Sequence, residues 1–447
     1  MWCARAGTPR LPRRRGRRPV LLREEYIMRN KVLVLVLVSC LIGTLAGRGE
    51  AAEKVRLGEP SPAVLSRYGL ETAWTAQAVI NPARDHLAQL TLDEELVYAQ
   101  GTNGVLTAFD AETGRRQWAV RLGRFDEPTF PPVSNEGMVL AVVGHSMYGI
   151  DKLKGEIKWS LRIPGPPSTG PAIDESQIYV GTLDGSVYAF SIRRIEKLYL
   201  ERRLPQWSHD TLVWRYQAAK EITSPPLPVG RTVNFAGRDG SLYAVTTNRP
   251  KLMYQFETDA PIVAPMAYVG DVQFLASEDF TFYAINADTG KVLWEFVTGL
   301  PIRKSPFAMG DVLYLSPDRG GVYCLNVTDG GQRWWKPFLT DFVTASHRVT
   351  YARDVDGNLA LIDTNDGSLL GRIPAFAYPR HINNDRTDRI YLATDSGHIL
   401  ALREKGRDIP NFHKYPERRP IQPEFVPEEG EADGSSTSLE PNEAGAP

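Results

Sequence analysis

The side chains able to do chemistry are few, and their spacing suits it poorly. Seven histidines (His86, His145, His209, His347, His381, His398 and His413) show no His-x-His, His-x3-His or His-Glu-x-x-His pattern, so no metal-ligand set is expected. The cysteines are Cys3, Cys40 and Cys324. Two lie in an N-terminal stretch expected to be removed, which leaves no internal disulfide and makes Cys324 a small buried strand residue. No Cys-x-x-Cys-His haem site is present. Aspartates are abundant, but those that recur at fixed positions do so next to glycine, where their work is turn formation. No catalytic, cofactor or metal residue is therefore assigned.

Charge is distributed unevenly. Residues 1–31 carry ten Lys/Arg against two Asp/Glu, a net of +8; residues 32–51 balance, so the overall −1 leaves −9 for the remainder. An acidic body without a basic stripe argues against nucleic-acid binding. Met28-Arg29-Asn30-Lys31 begins a basic n-region, Val32–Ala46 is largely apolar, and small residues lead to Ala51-Ala52. This is the layout of a secretory signal peptide over 28–52, too short for a membrane span of about 20 residues. Residues 1–27 read as a basic extension upstream of it. Leu37-Val38-Ser39-Cys40 resembles a lipobox, which makes Cys40 a candidate for lipidation and for the chain's one link to a membrane.

The elements that position everything else are repeats. Ile178–Phe190 reads as strand, Asp184-Gly185 turn, strand, and the pair is expected to form a type I′ hairpin turn. The Gly185 position recurs at Gly104, His145, Gly240, Phe280, Gly320, Gly357 and Gly397, at intervals near 40 residues except for one of 55. His145 and Phe280 break the chemistry, so those two turns are expected to be of another type. Ten residues past the marker stand Gly114, Gly155, Gly290, Gly330 and Gly367; fourteen past it stand Trp118, Trp159, Tyr254, Trp294 and Trp334, joined by Trp214 once a 15-residue insertion is removed. Pro-led segments at Pro132, Pro171, Pro226, Pro265 and Pro306 begin the units.

Four strands per unit at a period near 40 predict propeller blades, with the Pro-led strand innermost and the Trp strand outermost. The eighth unit lacks its Trp strand, while a surplus one with Trp74 precedes the first. The reading is an all-β, eight-bladed β-propeller of four-stranded antiparallel blades over 69–404, closed by the N-terminal strand as the outer strand of the last blade.

Ala287-Asp288-Thr289-Gly290-Lys291-Val292-Leu293-Trp294 and Tyr179–Gly185 resemble the repeat of the pyrroloquinoline-quinone-like (PQQ-like) propellers. That resemblance implies a docking girdle in which the outer-strand tryptophans (Trp74, Trp118, Trp159, Trp214, Trp294, Trp334) pack on turn glycines of neighbouring blades (Gly114, Gly155, Gly290, Gly330). One branch of the family comprises quinone dehydrogenases that hold PQQ and Ca2+, with a vicinal disulfide and acidic and amide ligands; this chain has no Cys-Cys pair. The other branch comprises exported propellers of the bacterial outer-membrane barrel-assembly machinery, without cofactor. The expectation is an exported, non-enzymatic, monomeric scaffold that binds protein partners in the cell envelope, periplasmic or outer-membrane-tethered. A PQQ-dependent dehydrogenase and a carbohydrate-binding propeller using Trp207 or Trp335 are the alternatives.

The insertion within 193–211 is the one feature the repeats do not require. Ile195, Leu198 and Tyr199 fit one helical face among Arg193, Arg194, Arg202 and Arg203. It reads either as a partner-binding element or as a loop packing on its own blade. From Lys405 to residue 447 the chain turns polar and Pro-rich, which predicts a disordered tail.

Overall fold

Alternating strands and Gly-closed turns build one unit eight times. A computed structural model of the chain describes residues 59–125 and 127–414. The expected extension at 1–27, the signal peptide at 28–52 and Cys40 lie outside the described residues. Eight four-stranded antiparallel sheets follow one another around a ring: blade 1 at residues 87–121, blade 2 at 133–162, blade 3 at 172–217, blade 4 at 222–257, blade 5 at 267–297, blade 6 at 307–336, blade 7 at 339–373 and blade 8 at 380–404. Blade 8 takes its fourth strand from Leu70–Gln77, which pairs antiparallel with His398–Glu404 in the register Trp74↔Ala401. The described residues form an eight-bladed β-propeller, closed by joining their first and last strands in one sheet.

The second strand of most blades is buried along its whole length, as in Leu96–Gly101, Met138–Val143 and Thr232–Gly237. Both faces of such a strand are covered by neighbouring blades, so it reads as a continuous apolar run. The core is accordingly a series of clusters, each spanning two blades; Tyr179 and Trp214 of blade 3 pack with Ile222 and Phe235 of blade 4. Cys324 is buried in the cluster between blades 6 and 7, where burial pushes its thiol up to about 12.

The hairpin turns differ from the type I′ expectation. Gly185 has φ 81°, but its partner Asp184 is not at positive φ, and the Gly185 N–H donates to Thr182 O at 3.1 Å. This is a type I turn followed by a left-handed residue, the G1-bulge arrangement. Phe280, a residue expected to break the pattern, nevertheless holds φ 74°, and its carbonyl accepts from Thr298 N as Gly185 O accepts from Ala218 N. The turn geometry is kept at a cost of about 1–2 kcal/mol for a side chain in the left-handed region. At His145 the type does change: Gly144-His145 is a two-residue loop between paired Val143 and Ser146, with only Gly144 at positive φ. In blade 6 the left-handed glycine is Gly321, one residue beyond the expected Gly320.

Among the described residues two α-helices accompany the strands. Helix α1 (Pro62–Arg67) has Pro62 in its first turn and Ser61 Oγ accepting from Val64 N. Helix α2 (Ile192–Leu200), capped by Ser191, stands where the third strand of blade 3 would turn into its fourth.

Candidate functional site

Three sets of residues stand out: the ring of outer-strand aromatics, the insertion around α2 and the central channel. In the first, each indole reaches the turn of the next blade. Trp74 Nε1 donates to Ala111 O at 2.8 Å, Trp118 to Lys152 O at 2.8 Å, Trp214 to Thr247 O at 2.7 Å, Trp294 to Val327 O at 3.2 Å and Trp334 to Thr364 O at 3.0 Å. Tyr254 does the same with its hydroxyl, to Ala287 O at 2.9 Å. The ring faces lie so close to Gly114, Gly155, Gly290, Gly330 and Gly367 that a Cβ on any of them would sit 2.4–2.6 Å from the aromatic atoms.

Two positions depart from that pattern. Trp159 is 1% exposed, and its Nε1 has no hydrogen-bond partner among the described residues. The turn that would supply one is replaced by α2, whose Ile195 and Leu198 cover the ring instead. In blade 7 the tryptophan position is Gly371, and a Cβ there would fall 2.1 Å from the ring of Tyr68. Tyr68, just after α1, thus fills the missing place; sequence spacing could not show it, because Tyr68 lies some 300 residues away in the chain.

In the insertion, Ile192, Ile195, Leu198 and Leu204 are buried against blades 2 and 3. Tyr199, expected on that buried face, is 46% exposed, because the helix turns it away from Ile195 and Leu198. It forms an outward surface with Leu200, which is 80% exposed, and Trp207, which is 43% exposed. Arg203 lies over the Trp207 ring at 5.4 Å and pairs with Glu201 at 3.1 Å. Arg202 holds positive φ, and Arg194 donates to Leu212 O at 3.2 Å; Arg193 is exposed. The insertion therefore covers blades 2 and 3 with one side and leaves aromatic and arginine side chains exposed on the other.

The channel is lined by the Pro-led first strands, which places them innermost. A cavity of about 430 Å³ is bordered by Pro132, Pro171, Pro226 and Pro265 together with Tyr268, Asp174 and Glu175. A second, of about 250 Å³, is bordered by Thr91, Phe307, His381 and Asp385; Leu92 and Arg386 border both. Thr91 Oγ1 and His381 Nδ1 are buried there without a hydrogen-bond partner among the described residues. Burial pushes the His381 imidazole down to about 4, against the opposing pull of Asp341.

Beside the larger cavity Asp93 accepts from Tyr98 Oη at 2.7 Å and Ser134 Oγ at 2.6 Å and pairs with Lys152 at 3.1 Å. Burial alone would raise the Asp93 carboxyl, but the Lys152 ammonium and these hydrogen bonds hold it below the usual range. These contacts join blade 1 to blade 2, so the cluster reads as a clasp. Among the described residues no group of three or more His, Cys, Asp and Glu side chains is arranged to hold a metal.

The expected polar tail begins later than residue 405. Asp408 O accepts from the buried Arg389 at 2.8 Å, Asn411 N donates to Asp388 Oδ2 at 3.1 Å, and Phe412 packs on the cluster between blades 6 and 7. Lys414 N donates to Arg386 O at 2.9 Å, and the Lys414 ammonium pairs with Asp385. The loop at 384–389 between the first two strands of blade 8 supplies these partners, which is why the boundary moves; the rest of the tail lies outside the described residues.

A family model described as the outer membrane protein assembly factor BamB matches residues 102–211 and 298–409. With the ring of eight blades, this likens the chain to the PQQ-like β-propellers. Within that class it resembles BamB. A protein of that name from Shewanella oneidensis is 26% identical over 220 residues, and one from Burkholderia pseudomallei is 29% identical over 115. These alignments cover 45% and 25% of this chain, and only 50% and 29% of the relatives' own lengths. Among solved structures, BamB from Moraxella catarrhalis superposes with a TM-score of 0.59 at 16% identity, covering 75% of this chain and 98% of that one. The computationally designed Ika8 protein gives 0.58 at 12% identity, covering 73% and 98%. The structural likenesses carry the fold alone.

Proposed function

We propose that this chain is an exported, non-enzymatic scaffold that makes protein–protein contacts at the bacterial cell envelope, in the assembly of outer-membrane proteins. The resemblance of its repeats to an outer-membrane assembly factor carries the reading. The protein works without cofactor: its recurring aspartates and tryptophans are engaged in turns and blade contacts, and Asp93 and Lys152 neutralise one another inside the wall. Partners engage the outward surface of the insertion. Tyr199, Leu200 and Trp207 provide apolar area beside Arg193, Arg202 and Arg203, the aromatic-plus-arginine composition of binding hot spots. Export through the 28–52 signal, with or without lipid on Cys40, would deliver the propeller to the periplasmic side of the outer membrane.

The test is crosslinking in the native cell, with identification of the proteins joined to the propeller. Outer-membrane assembly components are expected, and a Tyr199→Ala/Leu200→Ala/Trp207→Ala chain should lose them while keeping its melting temperature. Turnover of alcohols or aldehydes by the purified chain with added PQQ and Ca2+, and no partner captured, would overturn the proposal.

A further inference from the structure

Helix α2 ends on an arginine where glycine would serve the backbone better. Arg202 N donates to Tyr199 O at 2.9 Å and Arg203 N to Leu198 O at 2.8 Å, the paired bonds of a helix C-terminus that closes through one left-handed residue. That residue is Arg202, at φ 56°, a conformation that an L side chain adopts only with strain. Among the described residues Arg202 forms no ion pair, and neither do Arg193 and Lys197 on α2. All three are exposed, as are Tyr199, Leu200 and Trp207. Two of the insertion's own carboxylates are engaged, Glu201 with Arg203 and Asp210 with His209, which leaves Glu196. Five Lys/Arg against three Asp/Glu give residues 193–211 a net of +2, within a region from residue 52 onward whose net is −9.

We infer that the segment docking on this surface is an acidic stretch of a partner protein, whose apolar side chains meet Tyr199, Leu200 and Trp207 and whose carboxylates meet Arg193, Lys197 and Arg202. This deepens, and rests on, the reading of the insertion as the partner-facing surface. Arg202 carries it furthest. Glycine there would end the helix without strain, so the backbone supplies no reason for arginine. A guanidinium two residues from Leu200, able to take a carboxylate through two parallel hydrogen bonds, does supply one.

Charge decides what covers the surface. Cations without a counter-ion attract carboxylates and are left unpaired by a neutral or basic segment, which costs binding as water is displaced. An anionic bilayer would also be drawn to cations beside Trp and Tyr. A bilayer is wider than the insertion, however, and brings its charge against the acidic remainder of the body, since screening leaves such repulsion in force within about 8 Å. A protein segment of limited width meets the basic island alone.

The experiment places the photo-reactive residue p-benzoylphenylalanine at Gln206, the exposed neighbour of Trp207, in the full chain in its native cell, and sequences the peptides joined to it on irradiation. The joined segment is expected to carry net negative charge, with apolar residues among its Asp and Glu. Arg193→Glu/Lys197→Glu/Arg202→Glu should cut the crosslink yield at least tenfold. Replacing the acidic residues of the joined segment with Lys should restore it, a rescue that a misfolded variant would not give. Arg202→Gly should lower the yield severalfold while melting at or above the parent's temperature, which separates binding from stability. Joined segments that are neutral or basic, or a yield indifferent to the charge reversal or to Arg202→Gly, would overturn the acidic partner and leave the insertion as the partner-facing surface. Crosslinks to lipid alone, or none to protein, would overturn both.

Discussion

Removing Trp74 should loosen the contact of blade 8 with blade 1, beside the strand pairing that closes the ring. The side chain is 7% exposed, donates to Ala111 O at 2.8 Å, lies against Gly114 and has its ring 5.9 Å from that of Tyr391. Trp74→Ala forfeits the transfer energy of the indole and leaves a cavity between blades 8 and 1, about 3–5 kcal/mol together, within which the lost hydrogen bond is about 1 kcal/mol. With an unfolding entropy of about 2.1 cal/mol/K per residue over roughly 350 residues, that loss lowers Tm by about 4–7 °C. Trp335→Ala is the control: its ring is 44% exposed and stacks on Tyr323 within its own blade, so the fall should be less than half as large. Deleting residues 59–78 goes further. It strips the whole fourth strand from His398–Glu404, exposing an unpaired edge, and should lead to aggregation on heating. Differential scanning calorimetry with light scattering reads both effects. If Trp74→Ala melts within about 1 °C of the parent, or no lower than Trp335→Ala, the reasoning about closure fails.

Four further outcomes rest on the same geometry. Trp118→Phe should cost about 1–2 kcal/mol more than Trp159→Phe in urea unfolding, because only the former gives up a satisfied N–H donor; equal costs would refute the assignment. Gly114→Ala, with φ +68° and a Cβ 2.4 Å from the Trp74 ring, should destabilise by several kcal/mol, while Gly137→Ala, with open space around it, should leave Tm unchanged. Stability should fall as pH drops from 6.5 towards 4, since unfolding lets the His381 imidazole take up a proton that the native channel denies it; His381→Phe should flatten that part of the profile, and parallel profiles would sink the argument. Asp93, held below the usual carboxylate range, adds a loss that sets in only at lower pH, below about 3.8 and down through its depressed native value. Ending the chain at residue 406 should lower Tm more than ending it at 414, because Asp408, Asn411 and Phe412 hold the inner loop of blade 8.

Blade number, strand order and ring closure were legible in the sequence because each depends on spacing between like residues. Trp74 could be assigned to the last blade by counting, and the pairing with Ala401 realises that count. Turn type was less legible, since Asp-Gly satisfies a type I turn with a bulge as readily as a type I′ turn; the difference lies in the φ of Asp184, which residue identity does not determine. Phe280 shows the same limit from the other side. Its blade imposes the left-handed conformation on a residue that would not choose it, through the ladder that continues at Thr298.

Contact between residues that share no repeat position could not be read at all. Tyr68 replaces the missing tryptophan of blade 7 from outside the repeat register, and α2 covers Trp159 at the expense of its hydrogen bond. Both are repairs at places where the repeat is broken, one by a glycine at position 371 and one by the insertion. A repeat protein tolerates such breaks because each blade contacts only its neighbours, so a substitute has to satisfy one interface rather than the whole fold. The same locality explains why the proposed partner-facing surface sits on α2. A segment that has left the repeat can expose Tyr199, Leu200 and Trp207 without disturbing the ring, provided its other face keeps Ile195 and Leu198 over the gap it created.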